Sequence, residues 1–188
     1  RDINYTNYGE EDVDSVIYSK DDLVISGNGS LIINANNNHG IHSKDYIQIL
    51  GGTINITCKN DGIVGKDYVA IKDGNITINS DSDGIKASNE TDSSLGYIVI
   101  DGGSITIKSE GDAINAQTKL NINGGTFNID SKDDGIHTNG DITISGGEFT
   151  INSGDVAIHA DGMIEINKGT ITIKAAEGIE ATYVKIIS

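Results

Sequence analysis

Residues 40–61 read GIHSKDYIQILGGTINITCKND, and this stretch contains the unit from which the rest of the chain is built. Apolar or small residues alternate with polar ones in three short runs, around Ile41, Ile47 and Ile54. Alternation with a period of two residues is typical of strands that bury one face. The stretch therefore predicts three short strands within one turn of the chain.

The same unit recurs along most of the chain at a spacing of about 22 residues. Its first strand starts at a Gly-Ile or Ala-Ile pair, and these pairs begin at Gly40, Gly62, Gly84, Ala113, Gly135, Ala157 and Gly178. A repeat this short cannot bury a core alone and must stack on its neighbours. Because parallel crossovers prefer one hand, the pattern predicts an all-β fold, a single-stranded right-handed parallel β-helix (a solenoid) with three short strands per rung.

The repeat also predicts the domain organisation. A partial rung begins at Val16, so we expect the β-helix over residues 16–188 and an irregular acidic lead-in or cap over residues 1–15. One step between repeats is 29 residues long instead of 22, which places a loop insertion at residues 88–96. A glycine that can adopt positive φ at a sharp corner is expected before each third strand, at Gly29, Gly52, Gly74, Gly103, Gly125, Gly147 and Gly169.

Composition excludes several classes of partner. The formal net charge is −15, from 13 basic and 28 acidic residues. We expect no nucleic-acid partner, because nucleic-acid-binding proteins place Lys and Arg along the phosphates. We expect no membrane partner either, because anionic lipid would repel the chain and no apolar run is long enough to span a bilayer. Cys58 is the single cysteine, which excludes a disulfide framework. The Asn-, Thr-, Ser- and Gly-rich composition favours a secreted or cell-surface protein.

Carboxylates collect at one corner of the rungs. They lie at or near the position before each Gly/Ala-Ile pair, at Asp61, Asp81, Asp83, Asp112, Asp133, Asp134, Asp155 and Glu177. Parallel strands are about 4.8 Å apart, so stacked aspartates repel one another unless something offsets their charge. Calcium, which takes about six to eight oxygen ligands, is one solution. Hydrogen bonds from backbone N–H groups two residues on are the other.

A second column carries candidate ligand-binding side chains. Two residues after the first residue of each pair come His42, Val64, Lys86, Asn115, His137, His159 and Glu180. We expect His42, Lys86, His137 and His159 to hydrogen-bond a sugar or simply to lie in solvent. His137 and His159 on adjacent rungs would suit a transition metal if a third ligand converged with them.

A third column begins the second strands with Tyr46, Tyr68 and Tyr97. Aromatic faces pack well against the C–H surfaces of sugars, so three aligned rings would bind a neutral glucan by stacking. The alternative is an aromatic ladder that only stabilises the packing between strands.

The motif Asp-Gly-Ile occurs at Asp61, Asp83 and Asp134, and rungs of this form resemble a family of carbohydrate-binding β-helices described as binding cellulose and acidic sugars. The resemblance extends over residues 16–188. It implies a non-catalytic binding module that is related in fold to pectate-lyase-type polysaccharide lyases. It also implies calcium at the aspartates of the motif, from which the rungs at Val156 and Glu177 depart.

The sequence therefore predicts calcium-assisted, non-catalytic binding of a plant-cell-wall polysaccharide: cellulose, polygalacturonate or both. One alternative is a calcium-dependent polysaccharide lyase. It leaves Lys86 as the candidate base, although the carboxylates around this lysine would hold its amine protonated. A second alternative is an ice- or matrix-binding solenoid that uses the outward-facing Thr and Asn residues of the third strands.

Overall fold

A computed structural model describes residues 13–187. Every regular element in this range is a β-strand, so the described part of the chain has no helix that could cross a membrane. Most of the lead-in predicted at residues 1–15 lies outside the described residues. The strands in chain order are β1 (Ser15–Ser19), β2 (Leu23–Ile25), β3 (Ser30–Ala35), β4 (His39–Ser43), β5 (Tyr46–Ile49), β6 (Thr53–Cys58), β7 (Ile63–Gly65), β8 (Tyr68–Ile71), β9 (Asn75–Ser80), β10 (Ile85–Ala87), β11 (Tyr97–Ile100), β12 (Ser104–Ser109), β13 (Ile114–Ala116), β14 (Lys119–Ile122), β15 (Thr126–Ser131), β16 (Ile136–Thr138), β17 (Asp141–Ile144), β18 (Glu148–Asn152), β19 (Val156–Ile166), β20 (Thr170–Lys174) and β21 (Glu177–Ile186).

The strands stack into three faces, and each strand pairs in parallel with its equivalent one rung away. The first face contains β1, β4, β7, β10, β13 and β16, and the second contains β2, β5, β8, β11, β14 and β17. The long strand β19 turns the corner and completes both faces, with β21 paired beside it. The third face runs β3, β6, β9, β12, β15, β18, β20. The predicted parallel β-helix is confirmed, with eight rungs in the described part of the chain.

The core is a set of isoleucine columns in strict register. On the first face, Ile63 pairs with Ile85 and Ile85 with Ile114, and all three side chains are fully buried. Phe127 and Phe149 stack on the third face with ring centroids 4.5 Å apart. Truncating one such isoleucine to alanine removes about 2–5 kcal/mol of stability. This packing makes the first face a rigid base for the polar side chains outside it.

The corner before each third strand is made by glycine, as the repeat predicted. Positive φ values are found at Gly52, Gly74, Gly103, Gly125, Gly147 and Gly169. The first rung differs, because Gly27 and not Gly29 has the positive φ, at 109°. A Cβ at Gly103 would lie 2.7 Å from the carbonyl oxygen of Gly74, so stacked corners leave no room for a side chain.

The insertion at residues 88–96 connects β10 to β11 and is tied to the rung before it. Asn89 is buried, and its Nδ2 donates to Oδ1 of Asp67 over 2.8 Å. Its Oδ1 accepts hydrogen bonds from the backbone N–H groups of Thr91 and Asp92. The side chain of Asn89 therefore anchors the loop, together with backbone hydrogen bonds from Ser88 to Gly65 and from Gly96 to Asp67.

Candidate functional site

The aspartates that precede the first-face strands form a column that we call the carboxylate ladder: Asp61, Asp83, Asp112 and Asp134. Each is only 5–7% exposed. Oδ1 of each accepts a hydrogen bond over 2.9–3.0 Å from the backbone N–H of the ladder position on the next rung. The donor thus lies one rung away. The alternative, in which each aspartate accepts from an N–H group two residues on, is therefore wrong for these four side chains. These bonds tie successive rungs together and leave the Oδ2 atoms for other partners.

The Oδ2 atoms face the column that contains the histidines. Oδ2 of Asp83 accepts from Nζ of Lys86 over 2.8 Å, and Oδ2 of Asp112 accepts from Nδ2 of Asn115 over 2.8 Å. Oδ2 of Asp134 lies 2.9 Å from Nδ1 of His159. The structure therefore joins into one site two columns that sequence reasoning treated separately.

In the first half of this site, which we call the paired half (His39, Asp61, Asp83 and Lys86), a lysine is paired with one of the two carboxylates. The backbone N–H of Asp61 donates to Nδ1 of His39 over 3.2 Å, so this nitrogen carries no proton although Oδ2 of Asp61 is 3.4 Å away. Burial lowers the pKa of His39, and this effect outweighs the negative charges of Asp61 and Asp14, which act to raise it.

The two charged members of the paired half, Asp83 and Lys86, stabilise each other. Burial raises the pKa of Asp83, and its hydrogen bond to Lys86 opposes that shift. Burial opposes the ammonium form of Lys86, but its hydrogen bond to Asp83 and the nearby carboxylates outweigh this effect and raise its pKa. Lys86 is thus held protonated, as the sequence predicted for an amine among carboxylates.

The second half of the site is open. It is a cleft of about 400 Å³, which we call the acidic cleft, lined by Asp112, Asn115, Asp133, Asp134, His137, Asp155, Val156, His159, Glu177 and Glu180. This lining includes six carboxylates, no lysine and two histidines. Ligand oxygens of Asp112, Asp133 and Asp134 all lie within 4.8 Å of one another. An excess of clustered carboxylates is the donor set that a hard cation requires.

Ionisation in the acidic cleft reflects this crowding. Burial, and then the neighbouring charges of Asp112, Asp134 and Asp155, raise the pKa of Asp133. The hydrogen bond to Asp112 is the main cause that raises the pKa of His137, against burial. The cleft therefore favours bound protons or cations.

The eight predicted metal ligands lie in three places. Asp112, Asp133, Asp134, Asp155 and Glu177 come together in the acidic cleft. Asp61 and Asp83 belong to the paired half. Asp81 lies elsewhere, exposed and bound to Nζ of Lys59 over 2.6 Å.

The predicted sugar-binding residues also separate. His137 and His159 stack in the acidic cleft, with ring centroids 4.9 Å apart. His42 lies at the other end of the column, with its Nδ1 2.6 Å from Oδ1 of Asp14. Nζ of Lys86 already donates a hydrogen bond to Asp83.

Tyr46, Tyr68 and Tyr97 form a continuous stack. Their centroids are 4.8 and 5.0 Å apart and their planes are inclined by 13° and 7°. Both faces of Tyr68 are therefore covered by its neighbours, and its hydroxyl accepts a hydrogen bond from Nε2 of Gln48. This stack is the aromatic ladder that the sequence left as the alternative to a sugar-binding platform.

Four residues in or beside the site received no role from the sequence: His39, Asn115, Glu180 and Asp14. His39 occupies the ladder position of its rung, directly before Gly40. Asn115 and Glu180 occupy the same column as the histidines, and their shared position in the repeat was a usable signal. Asp14 precedes the first repeat and offered no such signal.

Comparison with known proteins places this geometry in context. A family model described as "Carbohydrate-binding domain-containing protein" matches residues 2–181. A protein of the same description from Acetivibrio thermocellus is 50% identical over 40 residues. That match covers 21% of this chain and 14% of the relative.

A solved structure has the same architecture. It is that of a polysaccharide lyase-like protein from C. thermocellum, obtained as a gadolinium derivative. The two chains share 26% identity with a TM-score of 0.62. The superposition covers 97% of this chain and 60% of the other, so this chain spans less than two thirds of that relative.

Proposed function

The chain belongs to the family of carbohydrate-binding domain-containing proteins, and we propose that it binds an acidic plant-cell-wall polysaccharide, such as polygalacturonate, through calcium held in the acidic cleft. Family membership and the lyase-like fold support polysaccharide binding in general. The class of polymer and the calcium are inferred from the cleft itself.

The observation that carries this proposal is the imbalance of charge in the acidic cleft. Six carboxylates line the cleft without a lysine or arginine to match them. The Oδ1 atoms of Asp112 and Asp134 are used by backbone N–H groups, so their outward Oδ2 atoms and the carboxylate of Asp133 are the candidate calcium ligands. Such oxygens at this spacing fit the irregular coordination that calcium accepts.

A cation also resolves how an acidic protein holds an acidic polymer. With a formal net charge of −15, the chain repels a polyuronate at every distance not screened by salt. Calcium supplies a centre that accepts carboxylate oxygens from both sides. Binding through the acidic cleft therefore depends on the metal.

We propose binding and not cleavage, because the candidate base is unsuitable. A lyase needs a base that accepts a proton from carbon, and a base must be unprotonated to do so. Lys86 is bound to Asp83 and its pKa is raised. The likeness to a polysaccharide lyase-like protein keeps lyase activity as the second candidate.

Two further points accompany the proposal. Cellulose is a less favoured ligand, because the tyrosine stack covers the faces that a neutral glucan would need. Since plant-wall polymers are extracellular, we also propose a secreted or cell-surface location.

The test is retention on polygalacturonate, measured by affinity electrophoresis with calcium and with chelator. We expect retention with calcium, its loss with chelator, and its loss in the double variant Asp112→Asn, Asp133→Asn. The control is Asp81→Asn, which removes an exposed acid that lies outside the acidic cleft and is bound to Lys59.

Retention that is equal with and without chelator would contradict the calcium-dependent proposal. The same samples report on the second candidate, since a lyase would generate unsaturated products that absorb in the ultraviolet. Growth of that absorbance in wild type, and its absence in Lys86→Ala, would establish cleavage in place of simple binding.

A further inference from the structure

Within the acidic cleft, two imidazoles lie at equivalent positions on adjacent rungs. His137 of β16 pairs in register with His159 of β19. Their rings are stacked at 4.9 Å with an interplanar angle of 20°. Both side chains are partly buried, at 22% and 28% exposure, so part of each ring remains open to the cleft.

Each imidazole is held by a carboxylate whose own position is fixed. Nδ1 of His137 lies 3.2 Å from Oδ2 of Asp112, and Nδ1 of His159 lies 2.9 Å from Oδ2 of Asp134. The Oδ1 atoms of both aspartates accept backbone N–H groups of the next rung. The four side chains are therefore organised by the backbone and not by chance contact at a surface.

The third ligand that the sequence could not supply is present. Ligand atoms of Asp134, His137 and His159 all lie within 4.8 Å of one another. Ligands about 2.1 Å from a tetrahedral metal are separated by about 3.4 Å, so small side-chain rotations complete the approach. We propose that these three residues, with Asp112 as a fourth ligand, bind a divalent transition-metal ion of the Zn²⁺, Co²⁺ or Ni²⁺ class.

The donor set distinguishes this site from the calcium site proposed above. Imidazole nitrogen suits zinc and its neighbours in the transition series, whereas calcium takes oxygen ligands. Asp112 and Asp134 are common to both sites, so zinc and calcium compete for the acidic cleft. The zinc site does not depend on polysaccharide binding.

The rest of the column shows why the site is confined to one place. The positions one, two and three rungs before His137 hold Asn115, Lys86 and Val64. At its far end, His42 is held by Asp14 and lies edge-on to His39, whose Nδ1 already accepts the N–H of Asp61. Among the described residues, only His137 and His159 stack in this column with both rings held by ladder carboxylates.

Isothermal titration of chelator-treated protein with Zn²⁺ tests the proposal, with Co²⁺ absorption spectra as a second measurement. We expect one zinc per chain and a loss of zinc affinity of about tenfold or more in His159→Asn and in His137→Asn. Bound Co²⁺ should give visible absorption bands that disappear in the same variants. His42→Asn is the matched control and should bind zinc as wild type does.

Equal zinc affinity in wild type and in both cleft variants would overturn the proposal, as would equal losses in all three variants. Far-ultraviolet circular dichroism establishes that each variant is folded. Retention on polygalacturonate with calcium should persist in His159→Asn, because its oxygen ligands are intact. Zinc binding without polygalacturonate binding would therefore refute the proposed function alone, and the reverse would refute this inference alone.

Discussion

The carboxylate ladder is built identically in its paired half and in the acidic cleft, but its charge is handled in opposite ways. In the paired half, Lys86 is bound to Asp83, and Asp61 lies beside the neutral His39. In the acidic cleft, Asp112 and Asp134 face histidines, and Asp133 adds a further carboxylate.

The difference between the two halves lies in the column two residues after each Gly/Ala-Ile pair. The aspartates and their hydrogen bonds to the backbone are the same in both halves. A lysine in that column neutralises the ladder locally, whereas histidine or asparagine leaves oxygens available to a cation. One scaffold thus supports a structural half and a half that is suited to binding.

The largest expected effect comes from breaking the ladder in each half. Asp83→Ala removes the acceptor of the Asp112 N–H and leaves Lys86 without its partner, so we expect a loss of about 3 kcal/mol in the free energy of unfolding. Asp134→Ala also leaves one backbone N–H, that of Val156, without its acceptor. Because it removes a negative charge from the crowded cleft as well, we expect a loss of only about 1 kcal/mol in the free energy of unfolding. Urea denaturation in the presence of chelator measures both.

Asp83→Asn serves as the control, because it keeps an acceptor oxygen while removing the charge that holds Lys86. Its loss should lie between zero and that of Asp83→Ala. If Asp83→Ala and Asp134→Ala cost the same, the two halves do not differ in the way described.

A smaller effect is expected from pH. The pKa of His39 is lowered by burial. On acidification the imidazole of the unfolded chain therefore binds a proton before that of the folded chain, so the stability that His39 contributes is lost as the pH falls below about 6.5. The pKa of His137 is raised by its hydrogen bond to Asp112. Its contribution is therefore present below about pH 6.5 and is lost as the pH rises through the higher pKa of the folded state.

Thermal melts at pH 5 and pH 8, with chelator throughout, separate the two histidines. His39→Asn should reduce the loss of melting temperature on acidification, and His137→Asn should increase it. A change of the same sign in both variants would show that the two halves respond alike to protons.

The smallest expected effect concerns surface charge. Asp133→Asn removes a carboxylate whose pKa is raised by burial and by Asp112, Asp134 and Asp155, so without calcium it should stabilise the fold by a few tenths of a kcal/mol, roughly 0.3. Asp81→Asn breaks an exposed ion pair with Lys59 and should be neutral or slightly destabilising. Differential scanning calorimetry resolves the signs, and a stabilising Asp81→Asn would contradict the assignment of Asp81 outside the crowded cleft.

Much of the fold was predictable, and the site was predictable only in outline. The isoleucine columns and most corner glycines follow from a short repeat with a period of two, in which each residue meets its own equivalent on the next rung. The exception at Gly27 arises in the first rung, where the spacing of the repeat is irregular. Five of the six carboxylates and both histidines of the acidic cleft were identified as candidates, but Glu180 and Asn115 were not, and neither was the association of the two columns.

The sequence by itself determined the β-helix, its register and the columns of Asp, His and Tyr, because stacking at a constant spacing converts chain position directly into position in space. Only the tertiary structure decided what each column can contact. Whether Oδ2 of Asp112 meets His137, whether Asp81 meets Lys59 and whether Tyr68 shows its face all depend on side-chain rotamers. Those rotamers are selected by neighbours on other rungs, and no local pattern of the chain encodes them.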